Sequence, residues 1–333
     1  MRRLRVAVVG ATGAVGRQML SLLEERRFPV SDVVPLASAQ SAGKRLSFGG
    51  GEVEVRALGP GSFEGVELAL FSAGASVSRE FCPVAAQAGA LVVDNSSAWR
   101  MDPQVPLVVP EANLAAARTR PKGIIANPNC STIQMIVALD PIRRAAGISR
   151  IFVSTYQAVS GKGARAIDEL RVASERSLRG EEHAYQVFPG PMAFNVQADW
   201  KPAEGGYNEE ELKMVNETRK IWGDPSIRVS PTTMRVPVLN GHTESIVVET
   251  TRKVTVAEAR RLLSSAPGVV LCDEDRQPLP LAASGRDEVF VGRIREDLAV
   301  DNGLCLVVAA DNLRKGAATN AIQIAEKLLL AAA

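Results

Sequence analysis

One stretch near the start restricts the fold more than any other. Leu4–Val9 reads as a buried strand that ends in Gly10-Ala11-Thr12-Gly13-Ala14-Val15-Gly16, after which residues 17–26 take up helical spacing. A buried strand, a glycine turn and a helix make up the first unit of a doubly wound parallel sheet. In such a unit the loop N–H groups and the positive end of the helix dipole aim at a pyrophosphate. The spacing is GxxGxxG where the common fingerprint is GxGxxG, and glycines between strand and helix also serve plain packing. Its place directly behind a strand makes Gly10, Thr12, Gly13, Ala14, Val15 and Gly16 candidates for a dinucleotide site.

The next strand, expected over 32–37, runs into Ser38-Ala39-Gln40-Ser41. An NAD site usually has a carboxylate near this point for the ribose 2′-hydroxyl. None is present, and Ser38, Gln40, Ser41 and nearby Lys44 offer donors instead, which leans toward NADP. The same small polar residues also read as a simple loop. Strand and helix then alternate, with strands expected at 67–71, 91–94, 107–109 and 124–126 and a helix near 77–88. Ligands of open α/β sheets gather beyond the carboxyl ends of the strands. Residues 72–74 and 95–100 fall there, so Arg100 is a candidate anion binder.

Residues 127–132 read Asn-Pro-Asn-Cys-Ser-Thr between a short apolar run and a helical pattern at 133–139. Pro128 keeps Asn127 out of the α region and delays the helix. Cys130 thus lies at a strand-to-helix turn, where unpaired N–H groups and the helix dipole favour the nucleophilic thiolate. The alternative is a buried cysteine acting as a small hydrophobe. Flanking Asn, Ser and Thr weigh against it, since an apolar core would have to satisfy them.

Composition removes several function classes. Across 333 residues the formal net charge is +2, and no basic block interleaved with aromatics occurs, which argues against nucleic-acid binding. Cys82, Cys130, Cys272 and Cys305 lie far apart without CxxC spacing, and with two histidines no metal site is expected. No apolar run approaches the roughly 18–20 residues of a membrane helix. A reactive free thiol suits a reducing cytoplasm.

Beyond Cys130 the texture changes. A strand expected at 148–155 leads into Gln157-Ala158-Val159-Ser160-Gly161-Lys162-Gly163 and a helix at 164–179. Residues 180–206 have little periodicity and suggest a long loop of the kind that builds a subunit interface. Asn208 and Glu211 form a capping box, and Glu210 and Lys213 share a helix face, by default as a solvated ion pair. Strands at 227–239 and 242–250 meet at Asn240-Gly241, which predicts a two-residue hairpin. That register puts Arg235 and His242 on one face about 13 Å apart, able to reach a small ligand between them. His242 is then either structural or an acid or base. Strands at 288–294 and 304–309 precede a helix at 315–329 that is expected to rejoin the first domain.

Several ordered motifs span the whole chain: GATGAVG at 10–16, SSAWRM at 96–101, NPNCST at 127–132, YQAVSG at 156–161, MRVPVLNGHTE at 234–244 and DNLRKGAATN at 311–320. In these the chain resembles the aspartate-β-semialdehyde dehydrogenase family. The resemblance implies an α/β fold: a Rossmann-type doubly wound parallel sheet (1–129 and 313–333) plus an α+β catalytic and dimerisation domain with a mainly antiparallel sheet (130–312). It implies NADP as cofactor and a homodimer or homotetramer in the cytoplasm. The implied reaction is reversible reductive dephosphorylation of 4-phospho-L-aspartate to the semialdehyde with release of inorganic phosphate. That step serves biosynthesis of lysine and diaminopimelate, methionine, threonine and isoleucine. By the same resemblance Cys130 is the nucleophile, His242 the general acid and base, and Gln157 orients the acyl intermediate. Arg100, Lys213 and Asn129 hold phosphate, while Arg235 and Glu210 grip the amino acid. Residues 12–15, Ser160, Gly161 and Asn320 contact the cofactor. Many relatives carry arginine where this chain has Gln40, and glutamine cannot clamp a 2′-phosphate bidentately. Two alternatives remain at this point: N-acetyl-glutamyl-phosphate reductase and a non-catalytic dinucleotide-binding relative.

Overall fold

A computed structural model describes residues 2–198, 200–273 and 275–330. The chain divides into two compact units, Met1–Asn129 with Ala317–Ala333, and Cys130–Gly316. The first crossing follows Asn129, and the return falls at Ala317, later than the expected 313.

The first unit runs β1 (Leu4–Val9), α1 (Ala14–Glu25), β2 (Val30–Ala37), a small hairpin β3 (Arg45–Phe48) and β4 (Gly51–Glu54), then β5 (Arg56–Ala57), β6 (Leu68–Phe71), α2 (Ala75–Gln87), β7 (Leu91–Asp94), α3 (Pro110–Asn113) and β8 (Ile124–Ala126). Its main sheet is parallel in the order β5-β2-β1-β6-β7-β8. The order reverses beside β1, so the carboxyl ends of β1 and β6 form a topological switch point, the usual ligand site of such sheets. Strand β1 is buried except at Arg5, as its apolar run Val6–Val9 requires. Met19, Leu22 and Leu23 put the apolar stripe of α1 into the core, and burying each contributes about 1.5–3 kcal/mol. Helix Thr319–Leu329 returns to this core through Ala321, Ile322, Ile324 and Ala325. Arg26 clamps its Glu326 with two bonds of 2.8 and 2.7 Å. The expected strand at 107–109 is reduced to a single bridge from Leu107 to Ala126. Pro106 and Pro110 bracket the segment, and Pro110 opens α3, so no ladder can extend.

The second unit opens with α4 (Cys130–Ala146), followed by β9 (Ile148–Gln157), α5 (Ala164–Leu178), α6 (Glu209–Trp222), β10 (Arg228–Arg235), β11 (His242–Thr250), α7 (Val256–Ser264), β12 (Val269–Leu271), α8 (Pro280–Ala283), β13 (Val289–Glu296) and β14 (Gly303–Ala310). The sheet order is β10-β9-β11-β14-β13-β12. The three central pairings are antiparallel and the two outer ones parallel, a mixed and mainly antiparallel sheet. The expected hairpin at Asn240-Gly241 does not form. β10 pairs parallel with β9, and the chain then crosses over so that β11 takes the other edge of β9. The crossover is pinned to the segment after β9, with Val159 N–H donating to Val238 O at 2.9 Å. The final helix also begins later than expected, because Arg314–Ala318 forms a π-type turn before Thr319.

Candidate active site

Cys130 is the first residue of α4, a 17-residue helix. The amino end of such a helix stabilises an anionic sulfur. Cys130 is partly exposed, whereas Cys82, Cys272 and Cys305 are buried, and burial pushes the pKa of each of those three thiols up. Among the described cysteines, Cys130 is therefore the accessible one. Gly316, inside the π-type turn, lies against it: a Cβ at 316 would stand 2.9 Å from Cys130 Cβ. Only glycine lets the backbone approach this closely. Nothing in the sequence reading singled out Gly316; its one signal was a glycine inside an otherwise helical pattern.

The end of β9 supplies Gln157, whose Nε2 donates to Ser131 Oγ at 2.7 Å and to Glu210 Oε1 at 3.3 Å. Gln157 is thus tied to the residue following Cys130. Glu210 is 5% exposed, and its other oxygen accepts from Lys213 Nζ at 3.1 Å. The Asn208–Glu211 capping box forms as expected and starts α6 at the point that brings Glu210 to Gln157.

Arg235 pairs with Gln157 in register on one side of β9, and His242 opens β11 on the other side. This differs from the hairpin expectation, which spaced the two residues along neighbouring strands. With β9 between them, both side chains converge on the turn after Gln157. A Cβ at Gly161 would lie 3.1 Å from Arg235 Nη1 and 3.6 Å from His242 Nε2. Arg235 Nη1 donates to Ala158 O at 2.9 Å, and Ala158 N–H donates to His242 Nδ1 at 3.0 Å. His242 Nε2 is buried without a hydrogen-bond partner among the described residues. Burial lowers the pKa of His242 well below its ordinary value, and the charge of Arg235 adds to this. Ser160 is enclosed: its hydroxyl donates to Asn240 Oδ1 at 3.0 Å and accepts from Asn312 Nδ2 at 2.9 Å. Its side chain braces the turn.

In the first unit Gly10 has φ +84, and a Cβ there would collide with the Ser72 carbonyl. A Cβ at Gly16 would collide with Gly10, so these two glycines serve the close strand-to-helix approach. Gly13 caps α1 without a side-chain bond, which leaves the first turn of N–H groups beside Thr12, Ala14 and Val15 for an anion. Ser38 and Gln40 are exposed at the end of β2, with Ser41 half-buried beside them. Arg100 is enclosed; Nε donates to Asn127 O at 3.0 Å and Nη2 to Asn95 O at 2.8 Å. Asn129 is nearly buried at the boundary. Asn320 is fully buried, and its amide donates to Val108 O at 3.0 Å and Asn127 Oδ1 at 2.7 Å. Its side chain therefore holds the Asn127 segment in place.

Residues 5–120 match the family described as semialdehyde dehydrogenase, NAD binding domain, and residues 139–315 match semialdehyde dehydrogenase, dimerisation domain. The aspartate-semialdehyde dehydrogenase of Aquifex aeolicus is 54% identical over 332 residues, with 98% of each chain covered. The chain belongs to the aspartate-semialdehyde dehydrogenase family. The Bacillus subtilis aspartate-semialdehyde dehydrogenase is 50% identical over 340 residues, again with 98% of each chain covered. The solved structure of aspartate semialdehyde dehydrogenase II from Vibrio cholerae complexed with ASA superposes with a TM-score of 0.97 at 46% identity over 99% of each chain. The NADP complex of the Candida albicans aspartate semialdehyde dehydrogenase superposes with a TM-score of 0.78 at 26% identity over 98% of each chain. Membership in the aspartate-semialdehyde dehydrogenase family sets aside the N-acetyl-glutamyl-phosphate reductase alternative.

Proposed function

We propose that this chain converts 4-phospho-L-aspartate reversibly to L-aspartate 4-semialdehyde and phosphate, using NADP, by way of a thioester on Cys130. The observation that carries this reading is the clustering within Cys130–Gly316 of an accessible helix-start thiol, Gln157 tied to Ser131 and Glu210, and Arg235 and His242 around Gly161. A protein relieved of chemistry has no physical reason to gather these groups, which speaks against the non-catalytic alternative.

The Cys130 sulfur attacks the β-carbonyl carbon, the C–O bond to phosphate breaks, and a thioester replaces the acyl phosphate. Gln157 holds the acyl group beside the start of α4. NADPH, when bound, supplies the hydride that takes this carbon to the aldehyde level. Where negative charge develops on the former carbonyl oxygen, His242 Nε2–H donates a hydrogen bond to it. The charged oxygen then expels the sulfur, returning the thiolate and releasing the aldehyde. Because Nδ1 accepts from Ala158, the resting ring offers the donor half of the acid and base role that the family resemblance implies. The base half requires a tautomer change that breaks this bond.

Arg235 and Glu210 bind the carboxylate and the ammonium of the amino acid, and Arg100, Lys213 and Asn129 bind phosphate, consistent with guanidinium and ammonium recognition of oxyanions. The tight glycine turn at 10–16, the uncapped first turn of α1 and the absence of a carboxylate in 38–41 fit NADP. Ser38, Gln40 and Ser41 would hold the 2′-phosphate, and Ser160 and Gly161 would border the nicotinamide end. The second unit is read as the contact between two copies: Phe152 and Tyr156, on the same face of β9, are each 42% exposed, and this unit matches the dimerisation domain. Residues 180–206 are read as adding to that interface. No described helix is long and apolar enough to cross a membrane. The free thiols suit a reducing cytoplasm.

A spectrophotometric assay with aspartate semialdehyde, NADP and phosphate tests the proposal. NADPH should form only when phosphate is present, and Cys130→Ala should abolish turnover while NADP still binds. Turnover in Cys130→Ala would remove the thioester route.

A further inference from the structure

Trp200 lies against the guanidinium of Arg235, with its ring centroid 4.5 Å from Cζ. That is within the roughly 6 Å reach of a cation–π contact, and indole is the strongest of the aromatic partners. The loop carrying Trp200 is fastened to the same arginine through the backbone. Gln197 N–H donates to Arg235 O at 3.0 Å, and Arg235 N–H donates to Gln197 O at 2.7 Å, forming an antiparallel bridge. Upstream, Phe188, Met192 and Ala193 sink into a small core with Leu170 and Ala173. Gln197 Nε2 also closes back onto Gly190 O at 3.0 Å and Pro191 O at 2.6 Å. Phe194 sits at φ +56, a strained backbone for an aromatic residue that persists only where its surroundings enforce it. Residues 188–197 are therefore held in place beside Arg235, and Trp200 lies against its guanidinium.

A guanidinium carries its donors in its plane, and binding both oxygens of a carboxylate needs fork and carboxylate nearly coplanar. Hydrogen bonds such as that from Nη1 to Ala158 O hold points of the fork. An indole against the face controls the tilt of the plane and uses none of the in-plane donors. We propose that Trp200 is a positioning residue that orients the Arg235 guanidinium for the α-carboxylate of the amino-acid substrate. This inference rests on the assignment of Arg235 to that carboxylate.

A carboxylate remote from the reacting carbon is held alike in the ground and transition states, so misorienting its partner raises KM and leaves kcat nearly constant. With aspartate semialdehyde, NADP and phosphate, Trp200→Ala should raise KM for the aldehyde by roughly 3- to 30-fold. Its kcat and KM for NADP should stay within about twofold of the parent. Trp200→Phe should recover most of the loss. In an Arg235→Lys background, where no planar fork remains, adding Trp200→Ala should raise KM by much less than it does alone.

An unchanged KM in Trp200→Ala beside a raised KM in Arg235→Lys overturns the inference and keeps the carboxylate assignment. An unchanged KM in Arg235→Lys overturns that assignment itself. Fully multiplicative effects in the double variant, or a fall in kcat together with weaker NADP binding, overturn the positioning role. Should Trp200→Ala fail to fold, Trp200→Leu keeps bulk without a π face and carries the same expected results.

Discussion

The backbone N–H of Ala158 donates to Nδ1 of His242 at 3.0 Å, and this bond decides the tautomer. A neutral imidazole has one proton, so an accepting Nδ1 places it on Nε2. Protonating the ring would set an Nδ1–H against the Ala158 N–H. Burial lowers the pKa well below 6.5, and Arg235 adds to that. We expect the folded protein to show a neutral Nε2–H ring at pH 6.5 by nitrogen NMR. The chain has two histidines, so His242→Asn identifies the signals. The folded-state pKa lies below the unfolded one, so the stability linked to this ring is present above about pH 6.5 and lost as pH falls. An imidazolium signal at pH 6.5 would contradict the assignment.

Local pattern carried much of this architecture, and its failures share one cause. The apolar run of β1 and the turn at 10–16 declare a strand and a helix because each pattern repeats within a few residues. Cys130 at a helix start was legible for the same reason, as was the Asn208–Glu211 cap. The Asn240-Gly241 pair carries a strong hairpin signal, yet nothing local reveals that β9 pairs with both β10 and β11. The convergence of Arg235 and His242 is a product of that non-local pairing. Gly316 escaped notice because its constraint is the Cys130 Cβ, far away in sequence. Trp200 sits in a segment without periodicity, where no spacing rule could point it at Arg235.

Gly316→Ala tests the close approach at the nucleophile. The added methyl would meet Cys130 Cβ at 2.9 Å and Cys130 Cα at 3.3 Å, atoms fixed to the backbone, so the start of α4 or the π-type turn must shift. Overpacking of this kind costs about 1–3 kcal/mol, which a domain of this size survives. A displacement near 1 Å at a reacting atom costs on the order of 10²-fold in rate. Steady-state kcat should therefore fall by about tenfold or more with the fold retained, and alkylation of Cys130 should slow with it. Parent-like rates of both would show that the π-type turn does not limit the thiol.

On the proposed assignment, Gln40 sets how strictly NADP is chosen. It is exposed at the end of β2 in a segment without carboxylates, so a 2′-phosphate placed there would meet no guanidinium to clamp it. Gln40→Arg should lower KM for NADP by roughly 3- to 10-fold and leave NAD nearly unaffected, the gain being limited by exposure to solvent. Gln40→Glu should act oppositely, weakening NADP through like-charge repulsion. Paired kinetics with the two cofactors read this directly, and equal shifts for both would place the 2′-position elsewhere.

Glu244 lies two residues after His242 on the same face of β11 and is fully buried. Its cross-strand neighbours are Thr155 and Val308, which bring no charge. Gln134, one turn beyond Cys130 on α4, faces it without a hydrogen bond of ordinary geometry to either carboxyl oxygen. Burial therefore raises the pKa of Glu244 well above 4.5, and the Gln134 amide draws it back only in part. A raised folded-state pKa means that the folded chain keeps a proton the unfolded chain gives up. The linked stability is complete below about pH 4.5 and declines as pH rises toward the folded-state pKa. Glu244→Gln keeps the size and removes the titration. The two proteins should melt alike near pH 4.5, and the variant should gain steadily with each pH unit above it until the folded-state pKa is reached. A melting gap that stays constant from pH 4.5 upward would mean that Glu244 is ionised in the native state. An unpaired charge would then lie between the strand that starts at His242 and the helix that starts at Cys130, at a cost of several kcal/mol that a domain of marginal stability does not carry without a partner.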